Sequence, residues 1–276
     1  MASAPPSDGF PAAPRARKRF GQHFLADPRI LGRIANALAV DAGDTVLEVG
    51  PGRGALTEEL LARVGPRGRV VAVEVDRDLS AALRLRYAAR PELTLVQGDF
   101  LETDLTAYVR PPFLLAGNIP YNITTPIVFK ALTPPRAARM VLLVQREVAE
   151  RIAAHPGTRA YGALSVNVQA VATVEVLFRV AAGAFSPPPR VESAVVRITP
   201  RPDAVVVPAE ETAYRDLVQT LFSFRRKQLV RALREALGVT PGVAKALVER
   251  AGLPPAARPE VLSPADFATL LRARGD

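Results

Sequence analysis

Apolar positions between about residue 30 and residue 200 follow two alternating rhythms. Short β-branched runs give way to stretches with apolar residues three and four apart, and back again. The helical rhythm first predicts Ile30 to Leu38, where Ile30, Leu31, Ile34, Ala35 and Leu38 share one face. Thr45 to Val49 reads as a strand, Ala55 to Val64 as a helix, and Arg69 to Val75 as the next strand. A further helix, capped by Asp78, runs to Tyr87. Strands follow at Leu93 to Gln97, Phe113 to Ala116 and Arg139 to Val144, with helices at Thr124 to Leu132 and Arg146 to Ala154. Thr173 to Val180 and Ser193 to Thr199 read as late strands around a proline-rich loop. Strands alternating with helices predict an α/β fold, a parallel sheet covered by helices.

The rhythm changes past Pro200. Residues 201–208 carry prolines and no helical period, as a linker does, and residues beyond 209 read as short helices broken by Pro241, Pro254, Pro255 and Pro264. Three parts are expected: a disordered tail over residues 1–17, rich in Ala, Pro and Ser; an α/β domain over 18–204; and a smaller helical domain over 205–276. The tail lacks the order of a secretory signal, and no apolar run reaches the roughly 20 residues that cross a bilayer.

A net charge of +9, mostly arginine, points to a polyanionic partner or to a codon bias towards arginine. The absence of cysteine excludes disulfides, thiolate metal sites and cysteine nucleophiles, and fits a reducing cytoplasm. His23 and His155 are the two histidines, too far apart in sequence to suggest a metal site.

Candidate chemistry starts at Leu47-Glu-Val-Gly-Pro-Gly-Arg-Gly54, a strand running into a glycine-rich turn and then a helix. Such a turn lets the backbone approach a ligand at the carboxyl end of a strand. The spacing Gly-x-Gly-x-Gly departs from the dinucleotide pattern, and Glu48 would repel a pyrophosphate. Glu74 closes the next strand, where a carboxylate can accept from both ribose hydroxyls of an adenosyl group. Asp99 follows the third strand and can accept from an adenine amine, with Phe100 beside the ring. Acids at successive strand ends together imply a nucleoside-type ligand.

The fourth strand runs into Gly117-Asn118-Ile-Pro120-Tyr121. An exocyclic adenine amine is a poor nucleophile because its lone pair is delocalised into the ring. Two oxygens accepting its hydrogens free that lone pair, and the Asn118 side chain and the Pro120 main-chain carbonyl are suitable acceptors. Tyr121 can stack on the base. The alkylated nitrogen sheds its proton readily, so no strong base is needed.

The chain resembles the ribosomal RNA adenine dimethyltransferases from about Lys18 onward. The resemblance rests on Lys18-Arg-Phe-Gly-Gln-His-Phe-Leu25, Glu48-Val-Gly-Pro-Gly52, Asn118-Ile-Pro-Tyr-Asn122, Gln145-Arg-Glu-Val148, Tyr161-Gly162, Phe185-Ser-Pro-Pro-Pro-Arg-Val191 and Phe222-Ser-Phe-Arg-Arg-Lys227. It implies a Rossmann-like class I methyltransferase fold with a smaller C-terminal α-helical domain. The cofactor would be S-adenosylmethionine, contacted by His23, Leu25, Gly50, Glu74, Asp99 and Asn118. The family more often has Asn where this chain has His23. Asn118, Pro120, Tyr121 and Phe185 would form the catalytic and base-holding set, with Phe185 as a second wall. The substrate would be 16S rRNA in the small ribosomal subunit or its precursor, and the protein a cytoplasmic monomer without metal or membrane attachment.

Arg225, Arg226 and Lys227 form the densest positive run. On one continuous helix they would not share a clean stripe, so they fit either phosphate contact or a clamp onto acids of the first domain. The resemblance favours the RNA. Large-subunit resistance methyltransferases share the first domain more than this segment, and DNA adenine methyltransferases carry Asn-Pro-Pro-Tyr instead. An assembly factor without catalysis and a nicotinamide dehydrogenase are the remaining rivals.

Overall fold

A computed structural model describes residue 17 and residues 22–275. Of the tail expected over residues 1–17, all but residue 17 lies outside the described residues, as do residues 18–21 of the Lys18–Leu25 motif. In chain order the elements are β1 (Phe24–Leu25), α1 (Pro28–Leu38), β2 (Thr45–Val49), α2 (Ala55–Val64), β3 (Arg69–Glu74), α3 (Arg77–Arg86), β4 (Leu93–Gln97), β5 (Leu114–Asn118) and α4 (Thr124–Leu132). Next come β6 (Arg139–Gln145), α5 (Arg146–Ile152), α6 (Ala163–Gln169), β7 (Ala172–Val180), β8 (Phe185–Ser186) and β9 (Ser193–Pro200). Helices α7 (Glu211–Phe222), α8 (Leu229–Leu237), α9 (Pro241–Arg250) and α10 (Pro264–Arg274) complete the chain.

The main sheet has the order β4-β3-β2-β5-β6-β9-β7, and the strands from β4 to β6 pair in parallel. Parallel strands need crossovers, and the helices after β2, β3 and β5 supply them. The amphipathic face of α1 buries Leu31, Ile34, Ala35 and Leu38. They share one core with Leu56, Leu60, Leu61 and Val64 of α2 and with Val46, Val70, Ala116 and Val141 of the sheet. Because strand neighbours are in register, with Val49 opposite both Val73 and Gly117 and Asn118 opposite Leu143, the carboxyl ends of β2, β3, β4 and β5 finish along one edge. Ligands of such sheets bind at that edge.

By the contacts within each, the described residues separate into two compact units, those up to 146 with 177–197 and those of 147–176 with 198–275. Residues 147–176, assigned from sequence to the first domain, thus group with the C-terminal helices. Tyr161, fully buried, explains part of this: its hydroxyl donates to the Leu262 oxygen and its ring meets Phe222 edge-on. Helix α6 was not anticipated. Its sequence, Ala-Leu-Ser-Val-Asn-Val-Gln, is almost wholly buried and so shows no amphipathic period.

Three local expectations need correction. Helix α3 is capped by Asp76, whose side chain accepts from the Asp78 and Leu79 amides, rather than by Asp78. Pro241 and Pro264 open helices α9 and α10 instead of breaking them, since a first-turn proline lacks only an N–H that would be unpaired anyway. The expected basic helix is interrupted: α7 ends at Phe222, residues 223–228 turn, and α8 restarts at Leu229, whose amide donates to Ala257.

Candidate cofactor cleft and base subsite

A cavity of about 270 Å³ opens at the carboxyl edge of β2 to β5. It is lined by Gly50, Gly52, Glu74, Asp99, Asn118 and Tyr121 among others, with His23 and Leu25 closing it from the amino-terminal side. The sequence-selected cofactor residues are therefore all brought together.

Each is held by a local cause. Gly50 has φ +66, a left-handed conformation, and a Cβ built there would meet nothing within 4 Å and would project into the open cleft. At Gly52, φ +59, a Cβ would stand 3.0 Å from the Phe24 ring, so β1 can pass closely over the turn. Strand β1 is itself anchored by antiparallel pairing with β8.

Glu74 is buried, and its two carboxyl oxygens accept from the Gly52 amide at 3.0 Å and the Asp76 amide at 2.9 Å. Burial raises its pKa above the ordinary carboxylate range, and those backbone donors offset part of the shift. Each oxygen keeps a further lone pair for a ligand hydroxyl. Asp99 uses Oδ1 to accept from the Leu101 amide at 2.8 Å. Lys130 of α4 pins the same loop by donating to the Leu101 and Thr103 oxygens at 2.5 and 2.7 Å. No motif announced that role for Lys130, because its targets are main-chain oxygens that any sequence would supply. A cleft with glycine floor, a buried hydroxyl-accepting carboxylate and a second acid at the adjoining strand end fits an adenosyl ligand.

Glu48 departs from its expected behaviour. It is buried, Thr57 donates to it at 2.7 Å, and burial pushes its carboxyl up to about 8. Burial thus favours the protonated carboxyl, which weakens the expected repulsion of a pyrophosphate, and the glycine spacing is what disfavours a dinucleotide.

Asn118 ends β5 at the cleft. Its side-chain Nδ2 donates to the His23 main-chain oxygen at 2.7 Å, which turns the amide oxygen Oδ1 the other way and leaves it available as an acceptor. Tyr121 is half-buried, with its hydroxyl 2.5 Å from Ser193 Oγ and its ring stacked on the His23 imidazole at 5.6 Å between centroids. Burial raises the Tyr121 phenol above its ordinary value. Ser193 was not singled out from sequence, since it stands only as the first residue of a strand.

Two expected base-site groups sit differently from their sequence-stated roles. The Pro120 oxygen already accepts from the Ile123 amide and the Thr124 hydroxyl, both at 3.2 Å, because the chain after Asn118 winds straight into a 3-10 turn and α4. Phe185 is buried in the hydrophobic core, paired with Leu25, and does not line the cleft. Its apolar ring gains more from that core than from an aqueous pocket.

The sequence model described as ribosomal RNA adenine dimethylase matches residues 13–272. The chain belongs to this family. Among curated members, it is similar to the Ribosomal RNA small subunit methyltransferase A of Synechococcus sp. (strain JA-3-3Ab), 47% identical over 93% of this chain and 92% of that one. The protein of the same name from Acinetobacter baylyi is 41% identical over 93% and 91%. Among solved structures, it is similar to a dimethyladenosine transferase from Plasmodium falciparum, with 27% identity, TM-score 0.78 and coverage of 90% and 96%. The 23S rRNA methyltransferase ErmE also matches, with 27% identity, TM-score 0.68 and coverage of 91% and 98%.

The positive run of this family member lies in the turn between α7 and α8. Arg225 pairs with Glu260 at 3.1 Å and Lys227 with Glu235, both acids of the same C-terminal unit. The expected pairing to acids of the first domain is thus replaced by local pairs. Arg226 is exposed and has no ion-pair partner among the described residues.

Proposed function

We propose that this dimethyltransferase family member converts adenine to N6,N6-dimethyladenine in 16S rRNA of the small ribosomal subunit, using S-adenosylmethionine. One observation carries the reading. A single cleft holds both an adenosyl-type floor (Gly50, Glu74, Asp99) and, at its edge, an asparagine whose amide oxygen is left over for an amine. The small-subunit assignment is supported by relatives at 40% identity or above that share that name and match more than nine-tenths of the chain.

Glu74 would hold the ribose hydroxyls, Asp99 the adenine amine, and Gly50 the approach of the ligand to the backbone. Main-chain groups of His23 and Leu25 would close the cleft. When bound, S-adenosylmethionine supplies an electrophilic methyl group on a cationic sulfur. Asn118 Oδ1 would accept one hydrogen of the target amine, localising the nitrogen lone pair. The Pro120 oxygen serves as second acceptor once the Ile123 and Thr124 donors yield part of their hold. Tyr121 stacks on the base, which must leave its own stack at a cost of a few kcal/mol. Phe185, buried in the core beside Leu25, would act as a second wall only through movement of β8. Arg226, with Arg225 and Lys227, would meet RNA phosphates, making the C-terminal helices a docking unit. The working form is a cytoplasmic monomer.

Mass spectrometry of small-subunit RNA from cells lacking the protein tests this. Loss of N6,N6-dimethyladenosine is expected, and unchanged modification would refute it.

A further inference from the structure

Most of His23 is committed to the base side of the cleft, and this follows from contacts on three sides. Its main-chain oxygen accepts from Asn118 Nδ2 at 2.7 Å. Its ring Nδ1 lies 2.9 Å from the Pro187 oxygen, an acceptor only, so Nδ1 carries the hydrogen. The ring plane stacks on Tyr121 at 26°. The neighbouring ladder explains why these contacts are possible. Phe24 pairs with Ser186 and the Ala26 amide donates to the Ala184 oxygen, so His23 and Pro187, next in register, form a non-hydrogen-bonded pair and the His23 oxygen points away from β8. That oxygen is left for Asn118, and the Pro187 oxygen for the imidazole.

Resting on the function proposed above, we propose that the His23 imidazole is a positioning residue for the target base, rather than a side-chain ligand of the cofactor. It is tethered to Pro187 and covers one face of the Tyr121 ring. Ser193 holds that ring by its hydroxyl, so the ring is fixed at its edge and on one face. Among the described residues no ring stacks on the opposite face, and that face would take the adenine in a plane set before the base arrives. Prepaid orientation of this kind raises turnover rather than cofactor affinity. An asparagine at this position could keep the tether but could not stack, and a phenylalanine could stack but not tether.

The two contributions separate in His23→Asn, His23→Phe and His23→Ala, made in the full chain. Turnover on purified small subunits at saturating cofactor is read beside cofactor Kd by calorimetry and Tm. The loss of one aromatic stack should lower turnover of His23→Asn and His23→Ala roughly three- to tenfold. His23→Phe should recover part of that loss, while Kd stays within about twofold throughout. NMR of ring-labelled tyrosine should show Tyr121 flipping faster in His23→Ala and His23→Asn than in wild type or His23→Phe. Wild-type turnover in His23→Ala, or a weakened Kd with unchanged turnover, overturns the proposal. Equal losses in all three variants that track Tm also overturn it, since the role would then be structural. Inactive wild-type protein would sink the function above instead, and the tyrosine spectra alone would then decide for or against His23.

Discussion

The side-chain amide of Asn118 donates to the main-chain oxygen of His23, 95 residues earlier in the chain. This bond ties the strand end that carries the candidate acceptor to the segment that closes the cleft, and it decides which way the Asn118 oxygen faces. Asn118→Ala removes both. The expected outcome is a turnover loss of about 10²- to 10³-fold, as for deletion of one preorganised polar group at a reacting centre. Cofactor affinity by calorimetry should change far less, and equal turnover would remove Asn118 from the chemistry.

Glu74→Ala should act on the other side. Its carboxylate is already oriented by the Gly52 and Asp76 amides, so the loss falls on whatever completes its shell. Cofactor Kd should rise roughly 10- to 100-fold, the worth of charged hydrogen bonds. Unchanged calorimetric binding would take Glu74 out of the ribose site.

Glu48 makes stability depend on pH. Its folded value of about 8 lies above the ordinary 4.5, so the folded state binds the proton more tightly than the unfolded state. Its favourable contribution is complete below about pH 4.5 and fades as pH rises to about 8. Glu48→Gln cannot ionise, and its side-chain oxygen can still accept from Thr57. The variant's Tm relative to wild type should climb between pH 5 and pH 8. A difference that stays flat across that range would contradict the assigned protonation.

Arg225 and Arg226 are expected to separate, although they are adjacent. Arg226→Glu breaks no ion pair among the described residues and should weaken RNA binding, most at low salt, with Tm unchanged. Arg225→Glu also places a second acid beside Glu260 and should lower Tm as well. Filter binding across a salt series, beside thermal melts, checks both; a Tm loss without any binding loss in Arg226→Glu would leave only a structural role for the turn.

The strands and most helices up to β6 were legible because each has one dominant period, and the cleft residues because they terminate consecutive strands. Thr45–Val49, Ala55–Val64 and Leu93–Gln97 fall where the pattern puts them. Helix α6 was hidden by its all-round burial, and the break after Phe222 by a helical period that continues through it. At the site, residue type revealed Glu74, Asp99 and Asn118, because carboxylate and amide chemistry is specific. Direction was not legible. That Phe185 lies in the core against Leu25 and that His23 meets Tyr121 depend on segments roughly a hundred or more residues apart in the chain, while the Pro120 oxygen is turned by the short 3-10 turn that follows it.

Methyl transfer to purified, undermethylated small subunits, followed by nucleoside mass spectrometry, tests the central claim most directly. With wild-type protein and S-adenosylmethionine, N6,N6-dimethyladenosine should accumulate, and the Asn118→Ala variant should leave adenosine largely unmodified. A methyl group on any other base, or equal dimethylation by the variant, would contradict it.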